Sequence, residues 1–322
     1  MPMRKIIAIV VNYKTPHLAC ECIESMVKDD SEAHTFVVDN DSGDDSLAIL
    51  RDYVKSKQLN NRVTVVSSPR NGGFAAGCNY GVKAALSAGL LPKYYLFLNP
   101  DAQIKNGVCK IFEHAFSELP RYGILGATVL DQHGVVQKTA HSFFTPLTEL
   151  LDGARLNFLN TLFRKNDTGV PIDTGVLACD WVSGACFAVR PDVADQLELF
   201  DEKYFLYFEE VDFCFRAHKI GWKVAQIQDA VAIHREGSST GITRNVRRPS
   251  YWFNSRRRFF LKNYGVVSLL AADLLWCLGR MSWRLRKVLG LGKSFDQNDP
   301  PHFMRDLVFG DLRRLLFPKA SS

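Results

Sequence analysis

Apolar residues fall into two alternating patterns over the N-terminal third of the chain. Unbroken apolar runs rich in β-branched and aromatic side chains occur at Ile6–Val11, Thr35–Val38, Val63–Val66 and Tyr94–Leu98. Between them, Leu18–Lys28, Ser46–Lys57 and Ala75–Ala88 mix apolar and polar residues in a helix-like pattern. Strands that are apolar on both faces and alternate with helices predict a parallel sheet covered on both sides. Such sheets bind ligands beyond the carboxyl ends of their strands, where the loops gather. The polar residues follow that rule. Asn12-Tyr13 comes after the first run, Asp39-Asn40 after the second, Arg70-Asn71-Gly72-Gly73 after the third and Asn99-Pro100-Asp101 after the fourth. One shared crevice is expected there.

Beyond this region the pattern is less regular. Ile104–Leu119 reads as a helix, and Ile124–Val129 and Val135–Lys138 as short strands. From Ser142 to Asp173 periodicity is weak and turn formers are frequent, which suggests a mobile loop or an insertion facing a substrate. Trp181–Arg190 is strand-like, and Pro191–Leu197 is a short helix opened by its proline. Glu209–Lys219 reads as a helix ended by Gly221, followed by strands at Lys223–Ile227 and Ala230–His234. A Gly/Ser/Thr stretch near Gly237 marks a change in composition. We place a boundary there, with a first domain over residues 1–240 and a basic, amphipathic helical region over 241–322.

Charge sharpens the view of that second region. The net charge of the 322 residues is only +6, yet Arg244, Arg247, Arg248, Arg256, Arg257 and Arg258 follow one another with no acid between them. Such a cluster suggests phosphates, in anionic lipid, a diphosphate or nucleic acid; a solvated helix face is the plainer alternative. The arginines match no helix-turn-helix or RNA-binding pattern, so no nucleic-acid partner is expected. Aromatics around them, Tyr251-Trp252-Phe253 and Phe259-Phe260, suit a segment on an anionic membrane surface. Val266–Trp283 is largely apolar but holds Asp273 and Arg280. A charge near the centre of a spanning helix costs roughly 2.5–3.5 kcal/mol. A helix lying on a membrane, or packed on the first domain, is therefore expected rather than a span. Arg305–Leu316 is again basic and amphipathic. The eight cysteines form no Cys-x-x-Cys pair and read as reduced, mostly buried thiols of a cytosolic protein. The opening apolar run is too brief for a signal core, so no export is implied.

Several loops carry candidate chemistry. Asp101, at the end of a buried strand, is placed to bind a divalent ion that also holds a diphosphate, although Asn-Pro-Asp is equally a turn sequence. Asp39 is placed to accept from the imide N–H of a pyrimidine; alternatively it forms an Asx-turn, with Ser42 or Asp44 capping the next helix. Arg70-Asn71-Gly72-Gly73-Phe74 opens a helix whose N-terminus favours anions. It has neither Gly-Lys-Ser/Thr nor Gly-x-Gly-x-x-Gly, which disfavours ATP hydrolysis and dinucleotide binding. Glu209, Glu210 and Asp212 stand at the start of a helix amid aromatics. They suit general-base chemistry, or simply complement the helix dipole. Arg216 is within reach of Asp212 on the same face, so that pair is expected to be structural and Glu210 to be the base. His234 ends a strand as a metal ligand or a structural histidine.

Taken in order, these pieces resemble the family-2 inverting glycosyltransferases, and among them the rhamnosyltransferase-like group. The resemblance rests on Val11-Asn12-Tyr13, Val38-Asp39-Asn40 with Ser42, Asn71-Gly72-Gly73-Phe74 with Asn79, and Leu98-Asn99-Pro100-Asp101. It continues through Trp181-Val182-Ser183-Gly184, Phe200-Asp201-Glu202, Tyr207-Phe208-Glu209-Glu210-Val211-Asp212 and His234. It implies an α/β GT-A fold, with a Rossmann-like, mostly parallel sheet and the helical region appended. It also implies Mg2+ or Mn2+ and a dTDP- or UDP-linked sugar, with dTDP-rhamnose the first guess. The acceptor is expected to be a glycan or a lipid-linked molecule, with the protein peripheral on the inner face of the cytoplasmic membrane. By the same resemblance Asn12, Tyr13, Asp39, Asn40, Ser42, Arg70, Asn71, Gly73, Asn79, Asn99 and Asp101 bind the donor. Trp181, Ser183 and Gly184 line the acceptor and sugar, and Asp101 with His234 holds the metal. The base is usually the Asp of a Glu-Asp pair; here Glu210 stands at that position, with Glu209 or Asp212 able to share the role. That departure keeps open a non-catalytic nucleotide-sugar or carbohydrate-binding homologue.

Overall fold

A computed structural model of the chain describes residues 5–30, 32–156, 175–235, 237, 246–290 and 299–317. They form two compact units. The first comprises residues 1–141, 166–205 and 209–241; the second comprises 142–165, 206–208 and 242–322.

The first unit opens with the expected alternation: β1 (Lys5–Asn12), α1 (Pro16–Asp29), β2 (His34–Asp39), α2 (Ser46–Ser56), β3 (Val63–Ser67), α3 (Gly73–Ser87) and β4 (Pro92–Leu98). Then come β5 (Ala102–Ile104), α4 (Val108–Glu118), β6 (Tyr122–Leu130) and β7 (Ala140–His141). After α5 (Pro146–Gly153), which belongs to the second unit, follow β8 (Val176–Cys179), β9 (Trp181–Val182) and β10 (Cys186–Val189). The unit closes with α6 (Pro191–Gln196), α7 (Glu209–Lys219) and β11 (Lys223–His234). Among the described residues the main sheet has nine strands, ordered β3-β2-β1-β4-β10-β6-β11-β5, with β8 also paired to β11. Strands β3, β2, β1, β4, β6 and β11 run one way and β10, β5 and β8 the other. The sheet is therefore mostly parallel. Its centre is dry: Ile7, Ala8, Ile9 and Val10 of β1 and Leu96, Phe97 and Leu98 of β4 have no exposed surface. Chain order reverses across β1, which lies between β2 and β4, so the crevice of an open α/β sheet falls at their carboxyl ends.

Four elements depart from the sequence reading. The expected helix from Ile104 begins only at Val108, because Ile104 pairs with Ala232 in β5. Gly107 then adopts φ +91°, and the Asp29 carboxylate accepts from the backbone N–H groups of Gly107, Val108 and Cys109. A residue remote in sequence thus caps this helix. The strand expected at Val135–Lys138 reduces to one bridge, Leu130 to Val136. Trp181–Arg190 is broken by a turn at Ser183–Ala185 into β9 and β10. The strands expected at Lys223–Ile227 and Ala230–His234 form one strand, with a register shift between Ile227 and Val231 where an irregularity absorbs the intervening residues.

The second unit gathers α5, α8 (Ser250–Asn263), α9 (Val266–Val288) and α10 (Phe303–Leu316). Within Ser142–Asp173, α5 is an ordered helix whose Thr145 and Thr148 form a reciprocal cap; residues 157–173 lie outside those described. Helices α5 and α9 meet at backbone distance, since a side chain on Gly153 or Gly279 would strike the Trp276 or Leu150 carbonyl oxygen at 2.2 or 2.3 Å. Phe253, Trp276 and Leu307 form the apolar centre.

Within the arginine run Arg256 and Arg257 are buried, so at these two positions the run is neither an open cluster nor a solvated face, whereas Arg247 stays exposed. Arg256 is 1% exposed; its guanidinium lies 3.0 Å from Glu149, 2.8 Å from Asp273 and 3.4 Å from Asp311. Arg257 reaches Asp311 at 2.5 Å. Two arginines thus face three buried carboxylates. Burial holds all three above their ordinary range, neighbouring carboxylates add to it at Glu149 and Asp273, and Asp273 is pushed up to about 7. Arg280 likewise pairs with Asp299 at 2.8 Å and lies between the Trp276 and Trp283 rings. Among the described residues α9 is the one helix long and apolar enough to cross a membrane, but Asp273 and Arg280, its two interrupting charges, are turned into the unit. Arg244, Glu236, Ser238 and Ser239 lie outside the described residues.

Candidate active site

The parallel register sets Asn12, the last residue of β1, beside Asp39, the last of β2. Asn12 Nδ2 donates to Asp39 Oδ1 at 2.9 Å, and Ser42 Oγ donates to the same oxygen at 2.6 Å. All three residues are buried, so the carboxylate is held in one orientation, with its Oδ2 engaged, among the described residues, only by the Ser42 N–H at 3.4 Å. Tyr13, the next residue, is 40% exposed at the rim. Asp44 accepts from the Ser46 N–H, so the turn into α2 uses Asp44 and leaves Asp39 to the strand ends.

The third loop is tied to the second. Asn40 Nδ2 donates to Asn71 Oδ1 and to the Gly73 carbonyl, both at 3.0 Å, while its buried Oδ1 has no hydrogen-bond partner among the described residues. Gly73 has φ +84°, and a Cβ on it would lie 1.8 Å from the Phe205 carbonyl oxygen, which accepts from the Phe74 N–H. No other residue fits there. Arg70 is exposed and 3.8 Å from Glu202. Asn79 stands apart: its amide donates to the Phe200 carbonyl and Glu202, and its Oδ1 accepts from the Phe200 N–H. It is part of the frame, not of the crevice.

Beyond β4, Asp101 is 2% exposed and its Oδ1 lies 3.1 Å from His234 Nε2. Asn99 Nδ2 is 3.3 Å from the same imidazole nitrogen. Strand β5 returns antiparallel to β11 and pairs Ala102 with His234, which brings the Asp101 and His234 side chains together from about 130 residues apart. The carboxylate oxygen suits Mg2+ or Mn2+, and the imidazole nitrogen beside it would be a second donor. Among the described residues no third His, Cys, Asp or Glu joins them. That fits an ion completed by substrate phosphates and water.

Glu209, Glu210 and Asp212 occupy the first turn of α7, after Tyr207 and Phe208, both at φ +68°. Two successive non-glycine residues in the left-handed region are strained, a feature that clusters at functional sites. Asp212 is fully buried, accepting from Tyr204 at 3.2 Å and Arg216 at 2.8 Å, while Arg216 also donates to the Leu197 and Leu199 carbonyls. Its oxygens belong to the frame, as the expected Asp212–Arg216 pair required. Glu209 and Glu210 differ: each has a buried Oε2 without a hydrogen-bond partner among the described residues. Burial pushes Glu210 up to about 7, and burial with the neighbouring Glu210 charge raises Glu209 too.

One turn joins the metal-type pair to these acids. Ser183–Ala185 lies between β9 and β10, its Ala185 carbonyl accepts from the Asn99 N–H, and a side chain on Gly184 would touch the Glu210 carboxylate at 3.8 Å. Ser183 Oγ accepts from the Ala185 N–H, and Trp181 stacks on His141 at 4.1 Å between ring centres. Sequence reasoning did not single out Tyr204 or Leu199 as supports of this turn of α7; neither carries a local signal, since each acts through a fold contact.

Residues 7–178, more than half of the chain, match the family described as Glycosyl transferase family 2. The N-acetylglucosaminyl-diphospho-decaprenol L-rhamnosyltransferase of Mycobacterium tuberculosis is 29% identical over 153 residues, 46% of this chain and 48% of that protein. The chain thus spans about half the length of that relative. A low-salt glycan biosynthesis hexosyltransferase of Haloferax volcanii is 26% identical over 257 residues, 79% of this chain and 74% of its own. Among solved structures, a mannosyltransferase from Pyrobaculum calidifontis in complex with GDP-Man and Mn2+ superposes with a TM-score of 0.59 at 13% identity, covering 99% of this chain and 89% of that one. TarS of S. aureus gives 0.52 at 16% identity, covering 96% and 79%. These likenesses show the fold.

Proposed function

The chain belongs to glycosyl transferase family 2 and is a glycosyltransferase of the GT-A fold, and on that premise we propose that it moves one sugar, with inversion, from a nucleoside diphosphate to a hydroxyl of a glycan or lipid-linked acceptor. The observation that carries this reading is the Ser183–Ala185 turn, which meets both Asn99, beside the Asp101–His234 pair, and the Glu210 carboxylate. In-line displacement needs a leaving-group site and a base on opposite sides of the reacting carbon.

Asp39 offers the pyrimidine base its weakly engaged Oδ2, held in place by Asn12 and Ser42. Asn40, Asn71 and Gly73 shape the third loop, and Arg70 and Tyr13 stand at the rim. Asp101 and His234 would hold the divalent ion, with Asn99 against the imidazole. When bound, that ion supplies neutralising charge for the departing diphosphate. Glu210 takes the proton of the acceptor hydroxyl on its Oε2, and a pKa near 7 suits a base that must gain that proton at neutral pH. Glu209, raised by burial and by the Glu210 charge, titrates with Glu210 as a pair. Trp181, Ser183 and Gly184 wall the sugar and the acceptor. The rhamnosyltransferase relative makes dTDP-rhamnose the first donor to test, with UDP-sugars second. The Mn2+ of the mannosyltransferase complex supports a divalent ion without choosing Mn2+ over Mg2+.

Residues 1–240 constitute the transferring domain in this reading. The region from 241 onward rests peripherally on the inner face of the cytoplasmic membrane. Val267, Leu274, Met281 and Val288 recur every seven residues along α9 and are 60–84% exposed, which supports a helix lying on lipid rather than crossing it.

A panel of nucleotide sugars, read by nucleoside diphosphate release with Mn2+ or Mg2+, tests the reading. Release from one donor should be lost with chelator and in Asp101→Ala, and should fall by roughly 10²–10⁴-fold in Glu210→Gln. Release that survives chelation and both substitutions would overturn these assignments.

A further inference from the structure

A groove of about 1040 Å³ lies within the second unit, between the start of α8 and the exposed side of α10. Six arginines line it, Arg247, Arg248, Arg257, Arg305, Arg313 and Arg314, against a single lining carboxylate, Asp306. The arginines do not share one status. Arg247 and Arg305 both bond to Asp306, and Arg257 is held by Asp311 and Asn254. Arg313 and Arg314 have no acid or hydrogen-bond partner among the described residues. Arg248 lies over the Trp252 ring, 6.0 Å from its centre. The Nε atoms of Arg248 and Arg257 are buried without a partner among the described residues, and the Arg257 side chain is 10% exposed.

An excess of guanidinium groups around one hollow is unfavourable unless an anion enters. Guanidinium forks match phosphate oxygens in pairs, and a buried unpaired N–H loses more than an exposed one. The groove is also apolar in part. Phe253 lies buried in its wall, and Phe309 and Phe317 line it while 67% and 73% exposed. Leu312 and Leu316 continue the apolar side of α10 at 39% and 72% exposure. The volume far exceeds that of an inorganic phosphate.

We propose that this groove binds a phosphate or diphosphate carried on a hydrocarbon chain, the arginines taking the phosphate and the phenylalanines the first part of the chain. Two sources offer that chemistry, a single prenyl-type lipid diphosphate and the headgroups of an anionic bilayer. The inference stands on the second unit alone and does not rest on the transfer reading.

Binding of farnesyl diphosphate, farnesol, oligothymidylate and vesicles of phosphatidylglycerol or phosphatidylcholine to the full chain tests it. The double variant Arg313→Gln/Arg314→Gln removes cations that hold nothing inside the protein, so its melting temperature should match the wild type. Its affinity for farnesyl diphosphate should fall roughly tenfold or more. Arg248→Gln should weaken binding as well, while farnesol binds poorly to every form. Saturable binding of farnesyl diphosphate assigns the single lipid as source. Arginine-dependent binding to phosphatidylglycerol vesicles alone assigns the bilayer headgroup. Unchanged affinity in both variants, equal binding of farnesol, or arginine-dependent binding confined to oligothymidylate would each overturn the proposal, as would no binding of either phosphate source.

Discussion

Lowering the pH from 8 to 6 interrogates the proton on Glu210 directly. Burial moves its carboxyl from 4.5 to about 7. Glu209, one residue away and more deeply buried, is raised as well, by its burial and by the Glu210 charge. A group with a pKa of 7 is ionised to about nine-tenths at pH 8 and about one-tenth at pH 6, so base-dependent turnover should fall about tenfold between them. A carboxylate at its ordinary value would stay almost fully ionised over that range. The assay is kcat/KM for nucleoside diphosphate release at saturating Mn2+, and the acid limb belongs to the Glu209–Glu210 pair. Stability carries the opposite sign. Both folded-state values lie above those of the unfolded chain, so the native state binds the extra proton. The stabilisation is full below about 4.5 and is lost as pH rises through about 7. A flat rate profile from pH 6 to 8, or an identical acid limb in Glu210→Gln, would refute the assignment of Glu210 as the base.

Two further perturbations probe the scaffold. Arg256→Leu leaves Glu149 and Asp273 buried without their cation, so the denaturant midpoint at pH 7.5 should report a loss of about 3–5 kcal/mol, partly recovered on acidification as those acids protonate; wild-type stability at pH 7.5 would contradict the ion cluster. Gly73→Ala should cost roughly 2–5 kcal/mol from its left-handed backbone and the Phe205 oxygen, whereas Gly43→Ala, at φ +67° in open space, should cost only about 1–2 kcal/mol. Equal losses in thermal or chemical denaturation would show that the close approach to Phe205 is not what requires glycine.

The parts of this protein legible in its sequence are those whose cause is local. A buried parallel strand must be apolar on both faces, so β1, β2 and β4 stand out as runs, with the edge strand β3 partly covered, and the polar residues that end them mark the crevice. The acids of α7 and the Asp212–Arg216 pair follow from helical spacing in the same way. Other features depend on partners that spacing cannot reveal. Asp29 decides where α4 starts, from 78 to 80 residues away. The insertion of β10 between β4 and β6 carries the Gly184 turn to Glu210, and nothing in Trp181–Arg190 announces its neighbours. The arginine run shows the limit most clearly. Aromatics interleaved with arginines look the same on a membrane-facing helix and on a buried one. Only folding, which brings Glu149 and Asp311 from 107 and 55 residues away to Arg256, separates the cations locked inside from Arg313 and Arg314, which still face an open groove. Long-range charge pairing is a property of the packed chain, because burying a charge is tolerable only where its counter-charge is buried with it.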